Sequence, residues 1–99
     1  MSLQGTSIIG LNRAEPSGNT FNGIRAATGE RLEPAFHAAA EADLNRAVEL
    51  ASNAFLVYRD LPRARRAQFL RAIADRIERI GEPLIERVSA ESALPEGRC

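Results

Sequence analysis

Between Pro62 and Leu94 apolar side chains recur at Ala67, Leu70, Ile73, Ala74, Ile77, Ile80, Leu84, Ile85 and Val88 with the three-and-four spacing of a helix. Arg63, Arg65, Arg66, Arg71, Asp75, Arg76, Glu78, Arg79, Glu82, Glu86 and Arg87 fall between them and, on a 3.6-residue repeat, mostly on the opposite side. A segment with one apolar face and one charged face must be covered along the apolar face. Full burial of a branched aliphatic side chain contributes about 1.5–3 kcal/mol. Two helices cover only one side of each other's stripe, so the remainder calls for the strands of the same chain, a second copy, or a larger body.

The same periodicity runs through Leu44, Ala47, Val48, Ala51, Phe55 and Tyr58, which predicts a first helix of about four turns over 43–58. Ala39 and Ala40 before it carry no side-chain acceptor, so its start is poorly capped unless Asp43 serves. Arg59-Asp60-Leu61-Pro62 is the connector, with Pro62 suited to the first helical position. So short a connector predicts antiparallel neighbours, a helical hairpin. Gly81 and Pro83 interrupt the long stripe, which predicts helices over about 62–80 and 83–93.

Residues 1–39 differ in composition. They hold Gly5, Gly10, Gly18, Gly23 and Gly29, five of the 7 glycines, together with Pro16 and Pro34. Ser7–Arg13, Thr20–Arg25 and Arg31–His37 read as three short strands, separated by turns at Pro16-Ser17-Gly18-Asn19 and Thr28-Gly29-Glu30. Pro34 has no N–H for a ladder, which makes the third strand an edge or an extended arm. The expected fold is therefore α+β: a strand-and-turn arm over 1–39 with short antiparallel strands, then a helical hairpin over 40–99, together one incomplete domain.

Ninety-nine residues allow one small domain with a thin core. Thirteen arginines without a lysine balance 13 acids, so no net field draws the chain to nucleic acid or to an anionic membrane. No apolar run approaches the roughly 20 residues that span a bilayer, and Met1–Gly10 lacks a basic region followed by a long apolar core, so a cytoplasmic location is expected. Cys99 is the one cysteine, which excludes an intramolecular disulfide and a cysteine-based metal cluster.

Few residues suggest chemistry. His37, the one histidine, has no nearby Cys, Asp or second His and reads as structural or solvent-exposed. Cys99 is terminal, where no preorganised pocket with a base is expected. Glu15, Glu30, Glu33 and Glu41 show no pairing for acid and base roles. The glycines follow no nucleotide-binding spacing. Arg59, Arg63, Arg65, Arg66, Arg71, Arg76 and Arg79 form a local basic excess, but no aromatic residues interleave to stack on bases, and Asp75 stands four residues from both Arg71 and Arg79. They read as a solvated helix face.

Ile8-Ile9-Gly10, Phe21, Ala27-Thr28-Gly29-Glu30, Leu32 and Pro34-Ala35-Phe36 resemble the N-terminal strands of the aldehyde dehydrogenase superfamily, where an N-P-A-T-G-E turn is common. Arg66-Ala67-Gln68-Phe69-Leu70, Ile73-Ala74-Asp75, Ile77-Glu78, Leu84-Ile85-Glu86-Arg87 and Glu91-Ser92-Ala93-Leu94-Pro95-Glu96 resemble the helical sequence that follows in that family, which ends in E-T-G-x-P. The Leu-Pro-Glu and Pro-Ala-Phe runs are most similar to the branch that oxidises alpha-ketoglutaric semialdehyde (2,5-dioxovalerate). Ala26 stands where the turn usually has proline, Ser92-Ala93 replaces Thr-Gly, and Cys99 replaces an apolar residue.

The resemblance implies relatives that bind NAD or NADP and oxidise an aldehyde to an acid through a thioester on a cysteine. In them the Rossmann-type sheet, the catalytic cysteine and the general-base glutamate all follow this segment. No catalytic, cofactor-binding or metal-binding residue is therefore expected among these 99. The expectation is a truncated N-terminal portion of an NAD(P)-dependent semialdehyde dehydrogenase, inactive alone, whose partner is the remainder of that chain or a second copy joined through the apolar stripe. The alternative is a free-standing helical dimerisation module without catalysis.

Overall fold

The computed structural model describes residues 2–99. Its element order is β1 (Ile8–Ile9), β2 (Asn12–Arg13), β3 (Thr20–Ile24), β4 (Arg31–His37), α1 (Glu41–Tyr58), α2 (Arg63–Ile80) and α3 (Glu82–Ser92), closed by a short 3-10 turn at Glu96–Arg98. The class is α+β, with two separate two-stranded antiparallel sheets and three helices among the described residues.

The first strand read from the sequence is in fact a miniature hairpin. Gly10 adopts φ +64°, a conformation that side chains with a Cβ rarely take, and the chain reverses at Gly10-Leu11. Ile8 then pairs with Arg13 and Ile9 with Asn12, and the Ala14 amide donates to the Ser7 carbonyl at 2.9 Å. The run of Ile8, Ile9 and Leu11 disguised this turn.

β3 and β4 form the firmer pair. Arg25 donates its amide to the Glu30 carbonyl at 2.8 Å, closing the Thr28-Gly29 turn, and the Ala38 amide donates to Asn19 at the other end, also at 2.8 Å. Phe21 pairs with Phe36, their rings stacked at 5.7 Å, yet Gly23 pairs with Leu32. One residue of β3 thus faces three of β4, and the extra length is a bulge that holds Pro34, where the missing N–H leaves no gap in the ladder. Asn22 repairs part of the break by donating its side-chain amide to the Leu32 carbonyl at 3.0 Å.

The helices begin and end close to where periodicity and punctuation place them. α1 has no side-chain cap at Ala40, though Glu41 and Asp43 lie favourably in its first turn. Pro62 precedes α2 as its N-cap and is not its first helical residue. Gly81, at φ +64° and ψ −133°, breaks α2 from α3, and Pro83 lies in the first turn of the new helix.

The expected hairpin packing does not form. α1 and α2 meet at their shared elbow, where Tyr58 stands edge-on to Phe69 at 5.8 Å, but beyond it their stripes do not cover each other. Phe55 and Leu56 on α1 and Leu70, Ile73 and Ile77 on α2 are all exposed; Leu70 keeps 61% of its surface. Four connector residues set the direction of a turn and not the distance between helix axes, and nothing along the stripes draws these two together. Among the described residues Ile9 is the one buried apolar side chain, at 7% exposure. The radius of gyration is 16.8 Å, against about 13 Å for a compact domain of this length.

Candidate functional site

What the fold holds firmly is the junction of α3 with the β3–β4 hairpin. Arg87 of α3 reaches back to the β3–β4 hairpin. Its Nη1 donates to the Glu33 carbonyl at 2.6 Å, its Nε donates to Glu91 Oε2 at 2.8 Å, and its guanidinium lies 6.0 Å from the centre of the Phe36 ring. Only 16% of the Arg87 side chain is exposed, so these are partly desolvated, charge-assisted contacts. Glu33 lies in the β4 bulge, which turns its carbonyl outward for this bond. The Ala26 amide adds a backbone link to the Ala90 carbonyl at 3.0 Å. Gly23 leaves room for the clamp, because a Cβ there would lie 2.8 Å from Arg87 Nη2 and 2.9 Å from Glu91 Oε1.

The C-terminal turn of α3 is sealed by its own side chains. Ser92 Oγ donates to the Val88 carbonyl and Ser89 Oγ to the Leu94 carbonyl, each at 2.6 Å. Ala93 follows in the left-handed conformation at φ +62°. Beside this turn a groove of about 570 Å3 runs between α3 and the hairpin, bordered by Arg25, Glu86, Ser89, Leu94 and Glu96. Its charged groups are mixed in sign, and Arg25 already faces Glu30 at 3.6 Å.

The residues weighed from the sequence are dispersed. His37 ends β4, donates its amide to the Gly5 carbonyl at 2.7 Å, and holds Nδ1 buried without a partner among the described residues. Cys99 is exposed at the far end of the 3-10 turn, its Sγ 3.5 Å from the Pro95 carbonyl. Glu15, Glu30, Glu33 and Glu41 lie on different elements, and Glu30 pairs with Arg25. The arginines of α2 lie along an exposed helix, except for Arg66, which is half-buried, and Arg59 stands over the Phe55 ring at 5.8 Å. No group of three or more metal-ligating side chains occurs among the described residues. A dinucleotide fold needs a parallel strand, a glycine turn and a helix in succession; both sheets here are antiparallel, and α1 and α3 open on acids that repel phosphate. These residues do not by themselves fit a nicotinamide dinucleotide. Arg87 was missed as an organising residue, although Glu91 at four residues' distance is a signal for it.

The second feature is the uncovered stripe itself. On α2, Phe69, Ala72, Ile73, Arg76, Ile77 and Ile80 border a shallow groove of about 300 Å3. It is an exposed apolar patch, and no helix of the described residues is long and apolar enough to cross a membrane.

The described residues thus hold an antiparallel hairpin clamped to α3 and two long helices with uncovered apolar faces. The model of the aldehyde dehydrogenase family matches residues 13–97, and the chain belongs to that family. Among curated proteins it is similar to alpha-ketoglutaric semialdehyde dehydrogenase 2 of Azospirillum brasilense, 46% identical over 99 residues, which is 99% of this chain and 19% of the relative. The chain thus spans about a fifth of that relative's length. The resemblance drawn from the motifs holds for the family, and the relative is of the branch to which they pointed. No solved structure matched the chain.

Proposed function

We propose that the chain serves as the N-terminal portion of a cytoplasmic, NAD(P)-dependent semialdehyde dehydrogenase that oxidises alpha-ketoglutaric semialdehyde to 2-oxoglutarate. The observation that carries this reading is the 46% identity, sustained over 99% of the chain, to a dehydrogenase named for that substrate. The exposed stripes of α1 and α2 support it, since they are apolar faces without a cover of their own.

In this reading the segment contributes structure. The Arg87 clamp fixes α3 on the hairpin, and the outward helices offer the surface on which the rest of the enzyme is built. The nicotinamide cofactor, the nucleophilic cysteine and the general base belong to the sequence that follows in the relatives, and Cys99 is not the nucleophile.

The test is a chimera in which this chain replaces the matching N-terminal fifth of the Azospirillum enzyme. Reduction of NAD or NADP with alpha-ketoglutaric semialdehyde, at a kcat/KM within about tenfold of the parent and with no activity from the 99 residues alone, is the expected result. A chimera that folds and binds the cofactor but prefers an unrelated aldehyde would remove the substrate assignment. Activity from the 99 residues alone would overturn the division of labour.

A further inference from the structure

Two structural demands meet at Asn22-Gly23. Asn22 lies in the break of the β3–β4 ladder and donates its side-chain amide to the Leu32 carbonyl at 3.0 Å, which a carboxylate in its place could not do. Gly23 is required by the clamp, since a Cβ on it would lie 2.8 Å from Arg87 Nη2 and 2.9 Å from Glu91 Oε1. Together they set an asparagine directly before a glycine, and that pairing is chemically labile. A glycine nitrogen has no Cβ beside it to shield it from the side chain that precedes it. Asn12, Asn19, Asn45 and Asn53 are followed instead by Arg13, Thr20, Arg46 and Ala54.

Once its amide has given up a proton to solvent, the Gly23 nitrogen can attack Asn22 Cγ. The new N–Cγ bond closes a succinimide ring as the Cγ–Nδ2 bond breaks, and Nδ2 takes a proton from solvent and leaves as ammonia. Water then adds to one of the two ring carbonyls. Breaking the N–Cγ bond leaves aspartate, whereas breaking the bond to the backbone carbonyl leaves isoaspartate, whose main chain runs through Cβ.

The fold restrains this reaction. Within β3 the chain is extended, and the bond to Leu32 holds the carboxamide against β4, so the ring closes only when the hairpin opens there. Arg87 ties α3 to the same hairpin through the Glu33 carbonyl. The product in turn undoes the junction: aspartate sets an acceptor against the Leu32 carbonyl, and isoaspartate lengthens β3 where Arg87 and Glu91 leave no slack beside Gly23. We propose that Asn22-Gly23 is a site of spontaneous deamidation, that the Arg87 clamp governs its rate, and that its product releases the clamp.

The test holds the purified 99-residue chain in mildly alkaline heavy-oxygen water and follows each asparagine by peptide mapping in a mass spectrometer. Position 22 should convert ahead of the other four asparagines, take up one heavy oxygen and yield isoaspartate beside aspartate. Arg87→Ala should convert at least about tenfold faster in native buffer, yet at the unsubstituted rate in concentrated urea, where no clamp remains. A second variant covers the case in which Arg87→Ala loses more of the fold than the clamp. Asn22→Asp, which carries the aspartate product from the start, should speed exchange of the Ala26 amide, whose bond to the Ala90 carbonyl closes the junction, and leave the amides of α2 unchanged.

Conversion at Asn22 no faster than at the other asparagines would overturn the site. Equal native rates with and without Arg87, or an Ala26 amide indifferent to Asn22→Asp, would overturn its coupling to the clamp.

Discussion

Ala93 occupies the left-handed position after α3 at φ +62°, where a Cβ crowds the backbone and glycine is at ease. The family pattern has glycine at this place, and the departure noted in the sequence therefore marks a local strain. Ala93→Gly should stabilise the turn by about 1 kcal/mol, seen as roughly fivefold slower amide exchange at the end of α3 in the full-length chimera. Arg87→Ala should do the opposite, since it deletes the bond to Glu33 and the pair with Glu91. The charged hydrogen bond contributes about 1.5–3 kcal/mol and the half-exposed pair adds little. Gly23→Ala crowds the same guanidinium, so the two losses should overlap: in a double-mutant cycle, Gly23→Ala should cost clearly less once Arg87 is alanine. Additive costs would mean that Gly23 is needed for something other than the clamp.

At the scale of elements, helices were legible because a 3.6-residue period over eighteen residues is hard to mimic, and Gly81 with Pro83 marked the break. Gly81 sits at a backbone geometry that alanine tolerates poorly, so Gly81→Ala should cost about 1–3 kcal/mol, measured as a lowered melting midpoint of the chimera. The strands were less legible. Two-residue strands carry no period to detect, which is why Gly10 was passed over as a turn, and the β4 bulge answers to Pro34 and a long-range bond from Arg87 that local spacing does not encode. Packing between helices was the least legible, because an apolar stripe announces burial without naming its partner. The half-exposed Ile77 makes this measurable. Ile77→Ala should leave the helix content of the free chain unchanged by circular dichroism, yet cost about 2–5 kcal/mol in the chimera, as at a buried site.

The whole molecule is extended, 48 × 34 × 17 Å, with one buried apolar side chain among its described residues and long helices whose apolar faces meet solvent. Its family was readable from the order and spacing of motifs, and the candidate site was not, because the Arg87 clamp and the exposed apolar stripe carry no catalytic signature. The account rests on the helices needing a cover from outside these 99 residues, and thermal unfolding of the purified chain by circular dichroism, with sedimentation of the same sample, tests that directly. A helical signal that fades gradually, from polydisperse material, is the predicted result. A single discrete species with a sharp melt would contradict it and establish a self-sufficient module in its place.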